Sequence, residues 1–248
     1  MDLNTKQATL ALLGEMAGTT ILVTAYSLGI QDFGMGTVMI YFMLVVLLYP
    51  ISGAHLNPAV TLGQQISSGS MKDLRFVAVV VIAQLLGGLI AMTISMLFRG
   101  FGTIAFPTFQ NPIPPIATAL GALPGQGNAA LVVFFGSAFF TAFYVMVTLS
   151  SRTRADRTAF TVALPSAIAL YFANLLTSVS AGGYNNPVVA LVIDIQNKKY
   201  TLFSGNTAIP GAYEWAMIFG AIAGGLLAGI ACMFLEKISA KIKEDEMS

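Results

Sequence analysis

Two short apolar stretches, each opened by Asn-Pro, lie among six long ones, and this arrangement constrains the fold more than any other feature of the chain. The long stretches fall at about residues 10–30, 35–49, 74–98, 129–149, 160–179 and 213–235. A helix needs roughly 20 mostly apolar residues to cross the hydrocarbon of a bilayer, so each reads as a spanning helix, the second being the shortest. The two short stretches, residues 58–66 and 187–195, begin at Pro58 and Pro187 and cannot span. Proline is well suited to the first position of a helix, where its missing N–H is not needed. Each reads as a half-helix that enters the bilayer and stops. The predicted fold is therefore an all-α membrane protein, six transmembrane helices plus two re-entrant half-helices.

Composition agrees. Hydrophobic residues make up 56% of the chain and charged residues 9%, against about a quarter charged in an ordinary soluble domain. So few charges cannot solvate a water-soluble globule of this size. The net charge of +1 leaves no footprint for nucleic acid. Cys232 is the single cysteine and His55 the single histidine, which argues against an internal disulfide and a metal centre. No nucleophile–base pair, phosphate loop or cofactor motif points to an enzyme. The start of the chain does not resemble a cleaved signal, because the apolar run after residue 9 is too long.

Positive charge predicts the orientation. Lys6, Lys72, Arg75, Arg152, Arg154, Arg157, Lys237, Lys241 and Lys243 fall on one side of a six-span topology, and only Arg99, Lys198 and Lys199 on the other. Both termini are expected on the cytoplasmic side. The connection of residues 99–128 carries five prolines, cannot be helical throughout, and would join the two halves on the opposite side. The tail after Glu236 mixes Lys and Glu and reads as a solvated helix end.

The halves repeat one another. Glu15 with Thr19, then Asn57-Pro58, then Gly87-Gly88-Leu89 in the first are answered by Ser137 with Thr141, Asn186-Pro187 and Gly224-Gly225-Leu226 in the second. Each half has three spans, an odd number, so the two are expected to lie inverted within a single channel domain (1–248), as repeats of about 10–98 and 129–235 linked by an external loop of 99–128. Inverted repeats with broken helices at the midplane mark transport sites, although small-residue pairs also serve plain helix packing.

Non-helical backbone is tolerated at membrane depth only where it lines a cavity or is buried in protein. Two half-helices meeting tip to tip satisfy that condition, and each N-terminus carries roughly half a positive charge. A cation would be repelled there, whereas a neutral dipole would not. The amides of Asn57 and Asn186 could donate hydrogen bonds into the lumen, and carbonyls of the loops 52–56 and 180–185 could accept along the approach.

The run Ser52-Gly53-Ala54-His55-Leu56-Asn57-Pro58-Ala59-Val60-Thr61 resembles the first signature of the major intrinsic protein family, the aquaporins and aquaglyceroporins. Gly14-Glu15 with Gly18-Thr19, and Ala83-Gln84-Leu85-Leu86-Gly87, resemble its first and third spans, and the likeness covers nearly the whole chain. It implies one pore per subunit and a homotetramer, passing water or small neutral solutes without a cofactor. It also implies a pore constriction at Asn57, Pro58, Ala59, Asn186, Pro187 and Val188, and an outer filter at Thr37, Asn174, Gly183 and Val189. Here the second half departs from the family pattern. Val189 stands where the filter arginine is usual, no aromatic or histidine occupies the other filter positions, Ser137 replaces a glutamate, and Ala190 stands where glycerol-type members often carry aspartate.

The resemblance gives Glu15 a structural part, bracing a re-entrant loop, with a proton relay as the alternative for an acid inside an apolar span. His55 either packs beside the pore loop, supporting it, or gates it. Asn174 either lines the lumen or bonds to a neighbouring span, and Tyr184 would narrow the outer mouth. Three functional readings follow. The first is a wider pore passing water plus solutes such as glycerol, urea or ammonia. The second is a pore with weakened cation exclusion, and the third a closed pore serving adhesion or membrane organisation. An unrelated inverted-repeat channel for formate or ammonium fits the topology but not the Asn57 motif.

Overall fold

The computed structural model describes residues 5–28, 35–70, 74–100, 127–181, 184–204 and 211–247. Regular structure among them is entirely helical: α1 (Thr5–Ser27), α2 (Met35–Ser52), α3 (Pro58–Ser67), α4 (Leu74–Gly100), α5 (Gly127–Thr153), α6 (Ala159–Ala181), α7 (Pro187–Ser204) and α8 (Gly211–Met247). Six of these, all but α3 and α7, are long and apolar enough to cross a membrane. They stand where the apolar stretches predict them. Large apolar side chains such as Met43, Leu47, Phe135 and Phe139 point outward and are exposed. A bilayer would cover a surface of this kind.

Several boundaries differ from expectation for local reasons. Helix α2 runs past residue 49 to Ser52 because Pro50 lies in its last turn, where little helix remains to be broken. Gly53 then ends it: its φ of 82° is left-handed, while its N–H still donates to Tyr49 O at 3.0 Å. Helix α7 continues past residue 195 to Ser204 because no glycine or proline interrupts residues 196–204. The sequence itself turns polar at Gln196-Asn197-Lys198-Lys199. Helix α8 extends well beyond residue 235 into the Lys/Glu tail, as a solvated end should. Most of the 99–128 connection, and Lys72, lie outside the described residues.

The packing follows a repeating plan. Neighbouring spans run in the order α4, α1, α2, α6, α5, α8, and the short α3 and α7 fill the middle. Exchange the first four helices for the last four and the pattern maps onto itself: α1 packs on α4 as α5 packs on α8, and α3 lies on α8 as α7 lies on α4. The glycine pairs make the same contacts in both halves. A Cβ on Gly87 would run into the Met16 carbonyl oxygen and lie 3.1 Å from Thr19 Cβ; one on Gly224 would strike the Ala138 carbonyl oxygen and lie 2.8 Å from Thr141 Cβ. The next glycine in each pair seats a half-helix, Gly88 against Val188 of α7 and Gly225 against Ala59 of α3.

These contacts leave no room for a methyl group against backbone. Gly87→Ala and Gly224→Ala are each expected to destabilise the protein by about 1–3 kcal/mol, the usual range for overpacking. The loss should appear as a lowered Tm in detergent. An unchanged Tm for both would show that these helix pairs separate freely.

Candidate functional site

The first re-entrant loop, residues 53–57, holds an unusual backbone. Ala54 and Leu56 have φ of 48° and 53°, a region that side chains with a Cβ rarely adopt and that persists only when its surroundings impose it. Glu15 of α1 supplies much of that constraint. Its Oε1 accepts from the Ser52 hydroxyl and the His55 N–H, both at 2.8 Å, and its Oε2 from the Leu56 N–H at 2.7 Å and Gln84 Nε2 at 2.8 Å. All four partners donate, and the carboxyl group is buried. The same Gln84 amide donates to Thr61 Oγ1 at 3.0 Å, tying α4 to the half-helix α3. On the other side of the loop, Arg152 at the end of α5 donates to Gly53 O at 2.6 Å and Ala54 O at 3.1 Å. It rests over the ring of Tyr49.

The two Asn-Pro motifs meet. Each asparagine does two jobs, and the two do them symmetrically. Asn57 Oδ1 accepts from the Ala59 N–H at 2.8 Å and Asn186 Oδ1 from the Val188 N–H at 3.0 Å, so each caps its own half-helix. Asn57 Nδ2 donates to Asn185 O and Asn186 Nδ2 to Leu56 O, both at 2.9 Å. Each motif thus clasps the residue just before the other. A primary amide has two N–H donors, and this clasp uses one from each. The positive ends of α3 and α7 therefore converge with donors at their tips, which favours lone pairs and opposes cations.

The second loop is braced without a charge. Ser137, at the position matching Glu15, donates to Met217 O at 3.0 Å and not to the described residues of the loop. Asn185 serves instead: its Oδ1 accepts from Thr141 at 3.1 Å and Thr177 at 2.9 Å, and its Nδ2 donates to Asn174 Oδ1 at 2.9 Å. Asn174 Nδ2 in turn donates to the Tyr26 hydroxyl at 2.7 Å. Neutral groups can brace this loop because the bonds are spread over α1, α5 and α6.

Of the residues singled out in the sequence, Asn57, Pro58, Ala59, Asn186, Pro187 and Val188 are brought together at one buried junction. Thr37 and Val189 are buried in the first turns of α2 and α7, and Asn174 is half-buried. Gly183 lies outside the described residues. His55 contributes its backbone N–H to the loop, while its Nδ1 has no hydrogen-bond partner among the described residues. Tyr184 is buried edge-on to Tyr26, ring centroids 6.2 Å apart. The loop carbonyls expected to line the approach are partly engaged: those of Gly53 and Ala54 by Arg152, that of Leu56 by Asn186.

The sequence does not announce the bracing roles of Arg152, Asn185 and Ser52. Arg152 is one of three arginines near a helix end, and nothing local separates it from its exposed neighbours Arg154 and Arg157. Asn185 had a signal, an Asn-Asn pair before the proline, whose first member proves the more heavily bonded. A cavity of about 1040 Å³ lies beneath the first loop, lined among others by His55, Arg152, Arg157, Glu236 and Lys243. No group of three or more His, Cys, Asp or Glu among the described residues is placed to hold a metal.

Residues 5–232 match the model of a protein family described as Major intrinsic protein. The structure is similar to the X-ray structure of the aquaglyceroporin from Plasmodium falciparum. The TM-score is 0.71 at 19% sequence identity, over 95% of this chain and 98% of that one. No curated protein sequence matches the chain.

Proposed function

Because this chain belongs to the major intrinsic protein family, whose members are channels rather than enzymes, we propose that it is a passive channel for water and small uncharged solutes. The pathway would cross the junction of α3 and α7. The observation that carries this reading is the reciprocal clasp of Asn57 and Asn186. It holds two helix N-termini tip to tip and leaves one amide N–H on each asparagine for a permeating molecule. On this reading Asn57, Pro58, Ala59, Asn186, Pro187 and Val188 form the constriction. Glu15 and the His55 backbone hold its first loop, and Thr37, Asn174 and Val189 surround the outer mouth. The chain acts as one channel domain of two inverted halves, with both termini cytoplasmic and four copies forming a homotetramer.

Val189 removes the fixed positive charge and the bulk of an arginine from the outer mouth. This favours admission of solutes larger than water, and the name of the similar solved structure, an aquaglyceroporin, puts glycerol first among those to try. The same loss favours the second reading, a weaker barrier to cations. Arg152 opposes that reading: its guanidinium borders the inner cavity, with no carboxylate in ion-pair contact among the described residues.

Purified protein in liposomes tests the proposal, with water, glycerol and urea entry followed by light scattering and ion flux followed in parallel. Glycerol entry above the lipid control is expected. Val189→Arg should reduce it by about tenfold, the change that about 1.4 kcal/mol of barrier produces. Ion current without neutral-solute flux would favour the second reading.

A further inference from the structure

Helices α2 and α5 share no extensive packed interface, and neither do α1 and α6; in the order of spans α6 stands between the first pair and α2 between the second. Both gaps are nevertheless bridged by hydrogen bonds between side chains. One is Asn174 of α6 to Tyr26 of α1, described above. The other is Tyr144 of α5, whose hydroxyl donates to the hydroxyl of Tyr41 on α2 at 2.8 Å. The two rings meet edge to face, centroids 6.1 Å apart.

The height of the bridge follows from the helices that carry it. Tyr144 is one turn beyond Thr141, which bonds Asn185, and two turns before Arg152, which bonds Gly53 and Ala54. Tyr41 is one turn inward from Thr37, the mouth position on α2. The pair therefore sits at the level of the Asn junction or just inside it. Both residues are 1% exposed, so the two side chains close the space between α2 and α5 at that level. Phenylalanine would pack the same space; a hydroxyl buried there needs a partner, and each tyrosine finds it in the other, from a separate span.

We propose that Tyr41 and Tyr144 form the size-determining constriction of this pore, a function moved inward from the outer mouth. This inference rests on the channel reading given above. A water or polyol passing the pair exchanges the hydroxyl–hydroxyl bond for bonds to itself, since each phenol both donates and accepts. A solute without hydroxyl or amide groups has nothing to exchange and meets two aromatic faces. The narrowing at the tyrosines thus compensates for the absence of an arginine at Val189.

Two variants with opposite expected effects test it, reconstituted at matched amounts of folded protein. Tyr41→Ala removes one ring and should raise glycerol entry about tenfold or more over the unmodified protein. The double variant Tyr41→Phe/Tyr144→Phe keeps both rings but removes the polar handles, and should lower water entry by about tenfold. If Tyr41→Ala does not reach a folded form, the near-isosteric Phe pair decides alone. Water and glycerol rates within twofold of the unmodified protein would overturn the inference while leaving the channel reading intact. No entry of any solute, in the unmodified protein or in any variant, would overturn the channel reading and this inference with it.

Discussion

Glu15→Ala is expected to unfold the first re-entrant loop and abolish permeability. The substitution leaves the N–H groups of His55 and Leu56 without an acceptor and takes one from the Gln84 amide and the Ser52 hydroxyl, which keep Thr61 Oγ1 and Leu48 O. A buried donor left unsatisfied costs roughly 1–3 kcal/mol. The four are neighbours and will not add simply, but a loss of about 4 kcal/mol or more is expected, against a total of about 5–15 kcal/mol for a typical domain. The backbone adds to the effect. Ala54 and Leu56 keep their positive φ because Glu15 on one side and Arg152 on the other hold the peptide groups between them, and with one side gone the strain has an escape. Glu15→Gln grades the effect. Its side chain keeps one acceptor oxygen and turns an NH₂ toward two of the four donors, so an intermediate Tm and reduced permeability are expected. A proton relay at this position would give another result, with stability unchanged in the Gln variant.

The second large effect comes from Asn57→Asp, which separates the two jobs of the asparagine. A carboxylate still accepts from the Ala59 N–H, and the positive end of α3 favours the negative charge. The cap therefore survives. The clasp does not: where Nδ2 donated to Asn185 O, an oxygen now faces an oxygen across a hydrogen-bond distance. The junction loses a donor, gains a buried charge without a cationic partner beside it, and no longer repels cations from that side. Water permeability is expected to fall about tenfold or more, as a loss of about 1.4 kcal/mol or more in the barrier would produce. Whatever flux remains should admit cations. Asn186→Asp is the symmetric case, since Asn186 caps Val188 and donates to Leu56 O, and the two variants should behave alike. Asn57→Ser serves as the neutral comparison: it can cap but cannot reach across, so it should lose water flux without gaining cation flux.

Most of the architecture was legible in the sequence because a membrane demands long apolar runs, and a proline after a polar cap marks a helix start wherever it falls. The first half of the site was legible for the same reason. Glu15 stands out as an acid in an apolar span, and an acid so placed needs donors nearby. The second half was less so. Its brace consists of Asn185, Thr141, Thr177, Asn174 and Tyr26, neutral residues on three helices, and neutral polar residues in membrane spans carry little signal about where their partners lie. Asn174 shows the difficulty directly. The family resemblance puts it at the outer filter, with a bond to a neighbouring span as the alternative, and in the structure it bonds both to the second loop and to Tyr26 of α1. Arg152 and the tyrosine pair depend on contacts between residues about a hundred positions apart in the chain, which no local pattern announces.

The paired-asparagine pore is tested most directly by the osmotic response of liposomes carrying the unmodified protein beside liposomes carrying Asn57→Asp and liposomes without protein. Two helix tips clasped by paired asparagines predict fast shrinkage in the first, slowed about tenfold in the second. Shrinkage of the first no faster than that of bare lipid would contradict it.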